Sequence, residues 1–379
     1  MALVAARRIA VTGLSAVVLA GPVLYPAGLA FAARRRPIEQ RPPDPPDWPN
    51  MTVVVAAYHE ARLIAAKVAD AHANGYPGRL QVVVVADDEP TAAAARETAA
   101  VVVSPGRRVG KSAALDIGVT AADGEIVVLS DANTRLMPGS LAALAAWFCD
   151  PAVGAVAGEK QLSAGAESAY WRFESWLKTR ESRLGGTIGL VGELAAIRRT
   201  AWRPVPADVA VDDLWVALDV LEQGLRVVYE PAAVAVEDAS GTWQEDWERR
   251  TRIVAGMLDV VRRRQALLLR ADLVSAQLWG HRVLRASAAP VAQATLLGFA
   301  LVRLRRGPRS APISASFAMA HVVAGAAHVL TSRGQGLPGP VGALGSAAFL
   351  QAVGLGGLWR HLRREPLARW PKVDRGGAA

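Results

Sequence analysis

The chain has 379 residues, 52% of them hydrophobic and 20% charged, with a formal net charge of +9 and a single cysteine, Cys149. That length holds one large globular domain and further elements besides. One cysteine excludes an internal disulfide framework, and the lack of zinc-ligand spacings or of basic repeats studded with aromatics argues against nucleic acid as a partner. The arginines instead flank apolar runs, at Arg34–Arg36, Arg303 to Arg309 and Arg360 to Arg364. That is the pattern of the cytoplasmic edge of a membrane.

From the N-terminus, Ile9 to Ala33 is apolar enough to span a bilayer. A cleavable leader is the competing reading, with Arg7-Arg8, an apolar stretch and then Ala30-Phe31-Ala32. Residues 1–36 are taken as an anchor and the proline-rich stretch 37–50 as a stiff linker. Residues 51–265 read as a soluble α/β domain. Thr52 to Ala57 is a short buried strand, and Leu63, Ile64, Val68 and Ala71 recur at helical spacing until Asn74-Gly75-Tyr76-Pro77-Gly78 breaks the helix. Leu80 to Ala86 is a second strand, Ala92 to Ala100 a helix and Val101 to Val103 a third strand. Ser112 to Ala122 is a helix and Glu125 to Ser130 a fourth strand. Short continuous apolar strands alternating with helices predict a mostly parallel sheet covered on both faces. Ligands bind such sheets beyond the carboxyl ends of the strands.

Further on, residues 266–303 read as an amphipathic interfacial or short membrane segment, because the apolar run Ser287 to Val302 is shorter than a usual span. Residues 304–361 read as two transmembrane helices, Pro312 to Thr331 and Gly339 to Trp359, and 362–379 as a basic cytosolic tail. With the middle domain cytosolic, two downstream crossings keep both basic groups inside, as the positive-inside rule prefers. A bare transporter is disfavoured, because the spans are few and read as free of ionisable residues.

Two strands deliver acids to the binding rim. "VVVVADD" ends in Asp87-Asp88, and "IVVLSDAN" ends in Asp131 with Asn133 two positions on. An unpaired buried carboxylate is costly, so packing explains such ends poorly. Hard oxygen ligands of this kind suit Mg2+ or Mn2+ against a diphosphate. The bland alternative makes Asp131 or Asn133 the cap of a helix Pro138 to Phe148. Arg107 to Ser112 opens a helix without the glycine spacing of a nucleoside-triphosphate loop, though its basic groups and helix start favour an anion. Asp212-Asp213 opens a helix ending near Gly224, either complementing the helix dipole or supplying a general base. Arg249 and Arg252 stand three apart on one helix, fit either to grip phosphate or to solvate a surface. Trp171, Trp176, Trp243 and Trp247 are either sugar-stacking platforms or packing and interfacial residues, and receive no site role.

The ordered set "VVVAAYHEAR", "VVVVADD", "GKSAALDIG", "GEIVVLSDANT", "GELAAIRR", "VDDLWVALDVLEQGLRVVYEP" and "RRTRIVAG", with membrane segments on either side, resembles the membrane-bound family 2 glycosyltransferases. The resemblance implies a nucleotide-diphospho-sugar-binding, Rossmann-like α/β domain with flanking transmembrane helices. It implies transfer of a sugar, with inversion, to a glycan or lipid-linked acceptor in envelope, exopolysaccharide or glycolipid synthesis. On the same basis Asp87 matches the aspartate that contacts the nucleotide base, with Ala57, Tyr58 and Glu60 in the loop beside it. Asp131 matches the first acid of a metal-binding D-x-D motif whose third position is Asn133. Asp213 matches the catalytic base, with Asp212 its neighbour. Arg252 matches the arginine of Q-x-x-R-W, and Lys111 a lysine after the third strand. Arg249 and Ile253 replace the glutamine and tryptophan of Q-x-x-R-W, which puts processive polymerisation in question. Asp88-Glu89-Pro90 replaces small residues usual after the base-binding aspartate. A donor made in the cytosol requires the domain to face inward from the inner membrane. The rival reading is an inactive nucleotide-sugar-binding membrane component, since D-x-D has lost a carboxylate.

Overall fold

A computed structural model describes residues 2–162, 167–237, 242–305, 307, 311–333 and 339–367. The chain divides into two compact units, one of residues 31–239 with the C-terminal stretch from 366, the other of residues 1–30 and 240–365.

The first unit is built on one eight-stranded sheet. Its strands are β1 (Met51–Ala57), β2 (Leu80–Ala86), β3 (Val101–Val103), β4 (Ile126–Leu129), β5 (Thr134–Leu136), β6 (Val153–Leu162), β7 (Ala195–Arg198) and β8 (Arg226–Glu237), in the order β3-β2-β1-β4-β7-β6-β8-β5. The block β3-β2-β1-β4 is parallel, as expected from its apolar runs. β7 runs antiparallel to both β4 and β6, β8 is parallel to β6, and β5 is antiparallel to β8. These directions bring the carboxyl ends of β1, β2, β4, β6 and β8 and the amino ends of β5 and β7 to one rim.

Val53 and Val55 of β1, with Val82 and Val84 of β2, pack on one face against Ile64, Val68 and Ala71, all essentially inaccessible. Each such buried valine contributes about 1.5–3 kcal/mol. On the opposite face the helix Lys111–Ala121 approaches β1 through Gly118, where a Cβ would lie 2.3 Å from Val54 Cγ1. Only glycine lets that helix sit so close to the strand, which fixes where Lys111 stands at its first turn.

Some expected boundaries shift. The helix placed at Ala92 to Ala100 spans Glu89–Arg96, because Asp88 caps it and Pro90 fits its first turn. The helix placed at Pro138 to Phe148 is Ser140–Ala145 followed by a 3-10 turn to Cys149, starting at Gly139 with no side-chain cap. β5 lies between it and Asp131, so the capping explanation of Asp131 and Asn133 fails.

The second unit is helical. Ala2–Leu19, a π-helical turn Ala20–Leu24 and Tyr25–Ala33 form an N-terminal helix, of which Ala5–Ala33 is long and apolar enough to cross a membrane. Leu273–Leu304, Pro312–Ser332 and Gly339–Leu362 also are. The segment expected to be short is thus continuous helix from Leu273, and the length argument for an interfacial placement falls. The apolar run was broken in sequence by His281, Arg282 and Arg285, which lie in a π-helical stretch, Leu278–Ala288. The spans also carry ionisable side chains, contrary to expectation: His321 contacts Gln293 at 2.9 Å, and His328 stacks on Phe349. Helix Trp243–Arg263, opened by a Thr242–Glu245 capping box, lies on Gly339–Leu362, with Trp247 and Val254 against Gly356 and Gly357. Arg306 and Arg309, and the tail from residue 368, lie outside the described residues.

Candidate active site

β2 is followed at once by two acids with different tasks. Asp87 Oδ2 accepts from the backbone N–H groups of Val109 (3.2 Å) and Gly110 (2.9 Å), Gly110 having a φ of +87°. The anion at this helix start is therefore the protein's own carboxylate. Asp87 Oδ1 is shut off from solvent and accepts no hydrogen bond from any described residue. A buried acceptor left so is costly unless something else donates to it. Asp88 caps its helix through Thr91 N–H (3.0 Å) and accepts from His59 N–H at 2.7 Å. Burial alone would raise Asp88, but those two N–H groups hold its carboxyl below its ordinary value. His59 has a φ of +55°, a left-handed conformation that strains a residue with a side chain. It turns the loop after Ala57, where Arg108 lies 4.2 Å above the Tyr58 ring and Glu60 N–H donates to Thr91 Oγ1 at 3.0 Å. The expected base-side residues Ala57, Tyr58, Glu60 and Asp87 thus share one corner of the rim.

β4 ends at Asp131. Its Oδ1 accepts from Lys111 Nζ at 2.8 Å, and the same ammonium lies 3.9 Å from Asp212 Oδ2. Lys111 therefore draws together two of the expected acids from different elements. Burial pushes the Asp131 carboxyl up, Lys111 opposes this, and Glu193 and Glu237 add to the rise. Asp213 occupies the first turn of helix Asp212–Glu222, its Oδ1 accepting from Leu214 N–H at 2.7 Å. Arg249 and Arg252 belong to the helical unit. There Arg249 Nη2 donates to Asp246 Oδ1 at 3.1 Å, and Arg252 is half-buried on the same helix.

Four residues at this rim escaped the sequence reading. Lys67, fully buried, donates to Thr134 O at 2.9 Å, and burial brings its pKa down to about 8 against the pull of Asp70 and Asp131. Lys160, its side chain 1% exposed, makes short ion pairs with both Glu193 and Glu237. Burial disfavours the Glu193 carboxylate, but Lys160 outweighs it and takes the pKa down to about 2. Glu237 Oε1 accepts from Asn133 Nδ2 at 2.9 Å. Ser130 Oγ donates to the Glu193 carbonyl at 3.0 Å. The loop Ser130–Thr134 is thus gripped by buried charges on several sides. A signal for Glu237 was present: β8 ends "VAVE", an acid after an apolar strand, like "VVLSD". Of the four tryptophans, Trp171 faces Lys160 Nζ at 4.9 Å, Trp176 stacks on Phe173 and Arg180, and Trp247 packs on Phe349.

The implied divalent cation has a donor set that fits it. Asn133 turns its amide nitrogen to Glu237, so its Oδ1 is the atom that would serve an ion, with the carboxylate of Asp131, two positions earlier, as the second donor. Among the described residues no group of three or more His, Cys, Asp and Glu side chains forms a metal cluster. Two oxygens suit an ion that takes its other ligands from water and a diphosphate.

A mixed, mostly parallel sheet with acids gathered on one rim defines a nucleotide-sugar-transferase type of α/β fold. The sequence profile described as "Glycosyltransferase like family 2" matches residues 49–256, more than half of the chain, and the chain belongs to that family. It is 27% identical over 289 residues to an N-acetylglucosaminyltransferase of Rhizobium leguminosarum bv. viciae, covering 66% of this chain and 67% of that one. It is 29% identical over 252 residues to an N-acetylglucosaminyltransferase of Mesorhizobium japonicum, covering 57% and 59%. Among solved structures it is similar to the mannosyltransferase PcManGT from Pyrobaculum calidifontis in complex with GDP-Man and Mn2+. The TM-score is 0.72 and the identity 25%, with 94% of this chain and 99% of that chain covered. The protein is a glycosyltransferase homologous to N-acetylglucosaminyltransferases, and the four long apolar helices among its described residues suggest membrane association by their length and composition.

Proposed function

We propose that this chain transfers a sugar, with inversion, from a nucleoside diphosphate to a hydroxyl of a glycan or lipid-linked acceptor at the inner membrane, its sheet domain cytosolic. The observation that carries this reading is the shared rim. Asp87 offers a buried, unused carboxylate oxygen there, and Lys111 holds Asp131 and Asp212 together, with Asp213 the next residue after Asp212. In the proposed scheme Asp87 Oδ1 accepts an N–H from the nucleotide base, and Tyr58 and Glu60 line the same corner. Asp131 and Asn133 hold Mg2+ or Mn2+, which when bound neutralises charge on the departing diphosphate. Asp213 takes the proton of the acceptor hydroxyl as that oxygen attacks the anomeric carbon. Lys111 keeps Asp212 and Asp131 from repelling one another, and the diphosphate is assigned to Arg252, with Arg249, on the resemblance to Q-x-x-R-W alone. The names of the relatives support an N-acetylglucosamine or mannose donor as first choice. Ile253, where the resembled motif has a tryptophan, favours transfer of a single residue over chain building.

The test is release of nucleoside diphosphate by purified protein in detergent, with UDP- and GDP-linked N-acetylglucosamine and mannose heading a wider donor panel. Metal-dependent hydrolysis of one donor, abolished in Asp131→Ala and Asp213→Asn, is expected. Donor binding with no turnover of any donor, even with membrane lipid extract added, would instead make the chain an inactive binding component.

A further inference from the structure

The D-x-N sequence has lost the second carboxylate of the metal motif, and the structure shows what stands behind the replacement. Asn133 Nδ2 donates to Glu237 Oε1 at 2.9 Å, and the other oxygen of Glu237 is ion-paired to Lys160. Glu237 is 6% exposed and Lys160 only 2%, so neither is free to turn towards bulk water. Backbone pairing enforces the arrangement, because Thr134 of β5 stands opposite Glu237 of β8, and Leu162 of β6 flanks Glu237 on its other side.

We infer that Glu237 is a positioning residue that fixes which end of the Asn133 amide faces the divalent cation. This rests on the reading of Asp131 and Asn133 as the cation's ligands. An asparagine is held with Oδ1 towards a cation when an acceptor on its other side engages Nδ2. Glu237 accepts only, so it can face the nitrogen and not the oxygen of the amide. Lys160 donates only, so it claims Glu237 Oε2 and leaves Oε1 to Asn133. The chain Glu193–Lys160–Glu237–Asn133 is directional from end to end.

That direction makes an unusual pattern of single and double substitutions. In Glu237→Gln one end of the side chain becomes a donor. The Lys160 ammonium takes its oxygen, so the new amide nitrogen faces residue 133. Asn133 must then turn its oxygen inward and its nitrogen towards the cation. In Asn133→Asp a carboxylate oxygen meets the Glu237 carboxylate at hydrogen-bond distance, and the two repel although the metal motif has gained a charge. In Asn133→Asp combined with Glu237→Gln, the amide introduced on β8 donates to the carboxylate introduced in the loop, whose other oxygen faces outward again.

The measurement is Mn2+ affinity by electron paramagnetic resonance, with the full chain in detergent and a saturating nucleoside diphosphate. Thermal unfolding without metal is recorded for every variant. Each single substitution is expected to weaken Mn2+ about tenfold or more, and the double substitution to restore it to within about threefold of the unmodified protein. Without metal, Asn133→Asp should lower the unfolding temperature, and adding Glu237→Gln should raise it again. A merely structural role for Glu237 would leave Mn2+ affinity unmoved in the near-isosteric Glu237→Gln. The inference is overturned if that variant binds Mn2+ normally, if Asn133→Asp alone binds it as well as or better than the unmodified protein, or if the two losses add. If the unmodified protein binds no Mn2+, the cation reading itself fails. The metal-free unfolding temperatures then still report whether residues 133 and 237 pair as described.

Discussion

Asp87 and Asp131 follow β2 and β4, the two strands that flank β1 in the same sheet, yet they are held by opposite means. Two backbone N–H groups fix Asp87, at 3.2 and 2.9 Å, and no side chain of either charge is hydrogen-bonded to it among the described residues. Asp131 is held by the Lys111 ammonium at 2.8 Å, and its loop rests on Ser130, Asn133 and Thr134, each engaged by a buried network. Backbone donors present a rigid, weakly charged cradle that suits recognition of a neutral base edge. A cluster of alternating side-chain charges suits a place where phosphate charge must be received and then released. Under the proposed function the first corner serves binding and the second chemistry.

The sharpest way to break that distinction is to remove each acid in turn and compare steady-state kinetics. Asp131→Ala should cut kcat about a thousandfold, since it removes an interaction that strengthens as charge moves onto the diphosphate. Asp87→Ala should act mainly on the donor KM, raising it about tenfold to a hundredfold while kcat falls much less. Equal losses of kcat in both would mean that the two corners are not separate. The next largest effect concerns the network behind Asp131. Lys160→Met removes the cation shared by Glu193 and Glu237 and leaves a buried Glu237 carboxylate and a partly buried Glu193 carboxylate without it. That change should destabilise the sheet domain by about 3–5 kcal/mol, read by denaturant unfolding. A loss under about 1 kcal/mol would show that water reaches the pair and that the network is not the support described here.

The two corners also differed in how far they could be read from sequence. The Asp87 corner is made of β1 and β2, continuous valine runs bounded by Asn50, Gly78 and the acids, and its fixing groups are backbone. Period, length and turn residues located it to within a residue. The Asp131 corner draws on β5 to β8, where those signals fade. β5 has three residues, β7 has four, and β6 reads "VGAVAGEKQL", in which a buried lysine breaks the apolar pattern. Lys160 looks solvated in sequence because its partners, Glu193 and Glu237, lie 33 and 77 positions away. Charge pairs across a sheet leave no local periodicity, so only the fold brings them together. In the membrane-associated unit the same blindness shortened a helix, since His281, Arg282 and Arg285 interrupt an apolar run without interrupting the backbone.

The smallest of these effects is a pH dependence, and it separates the corners by stability alone. Glu193 has its pKa lowered from 4.5 to about 2 because the Lys160 charge outweighs the penalty of burial. A carboxyl depressed on folding adds stability that is fully present above pH 4.5, where both states are ionised. Below that the unfolded chain binds the proton first, so the contribution shrinks and is gone once the pH passes about 2. A shift of that size is worth about 3 kcal/mol at most. Near-UV circular dichroism at fixed denaturant should therefore show the sheet domain losing stability between pH 4.5 and 2, and Glu193→Gln should flatten that limb. Asp87→Asn provides the contrast, because its two backbone donors can still meet the amide oxygen, and the acid limb should keep most of its slope. If Glu193→Gln left the limb unchanged, the Lys160 network would not be what ties this rim to its ionised form.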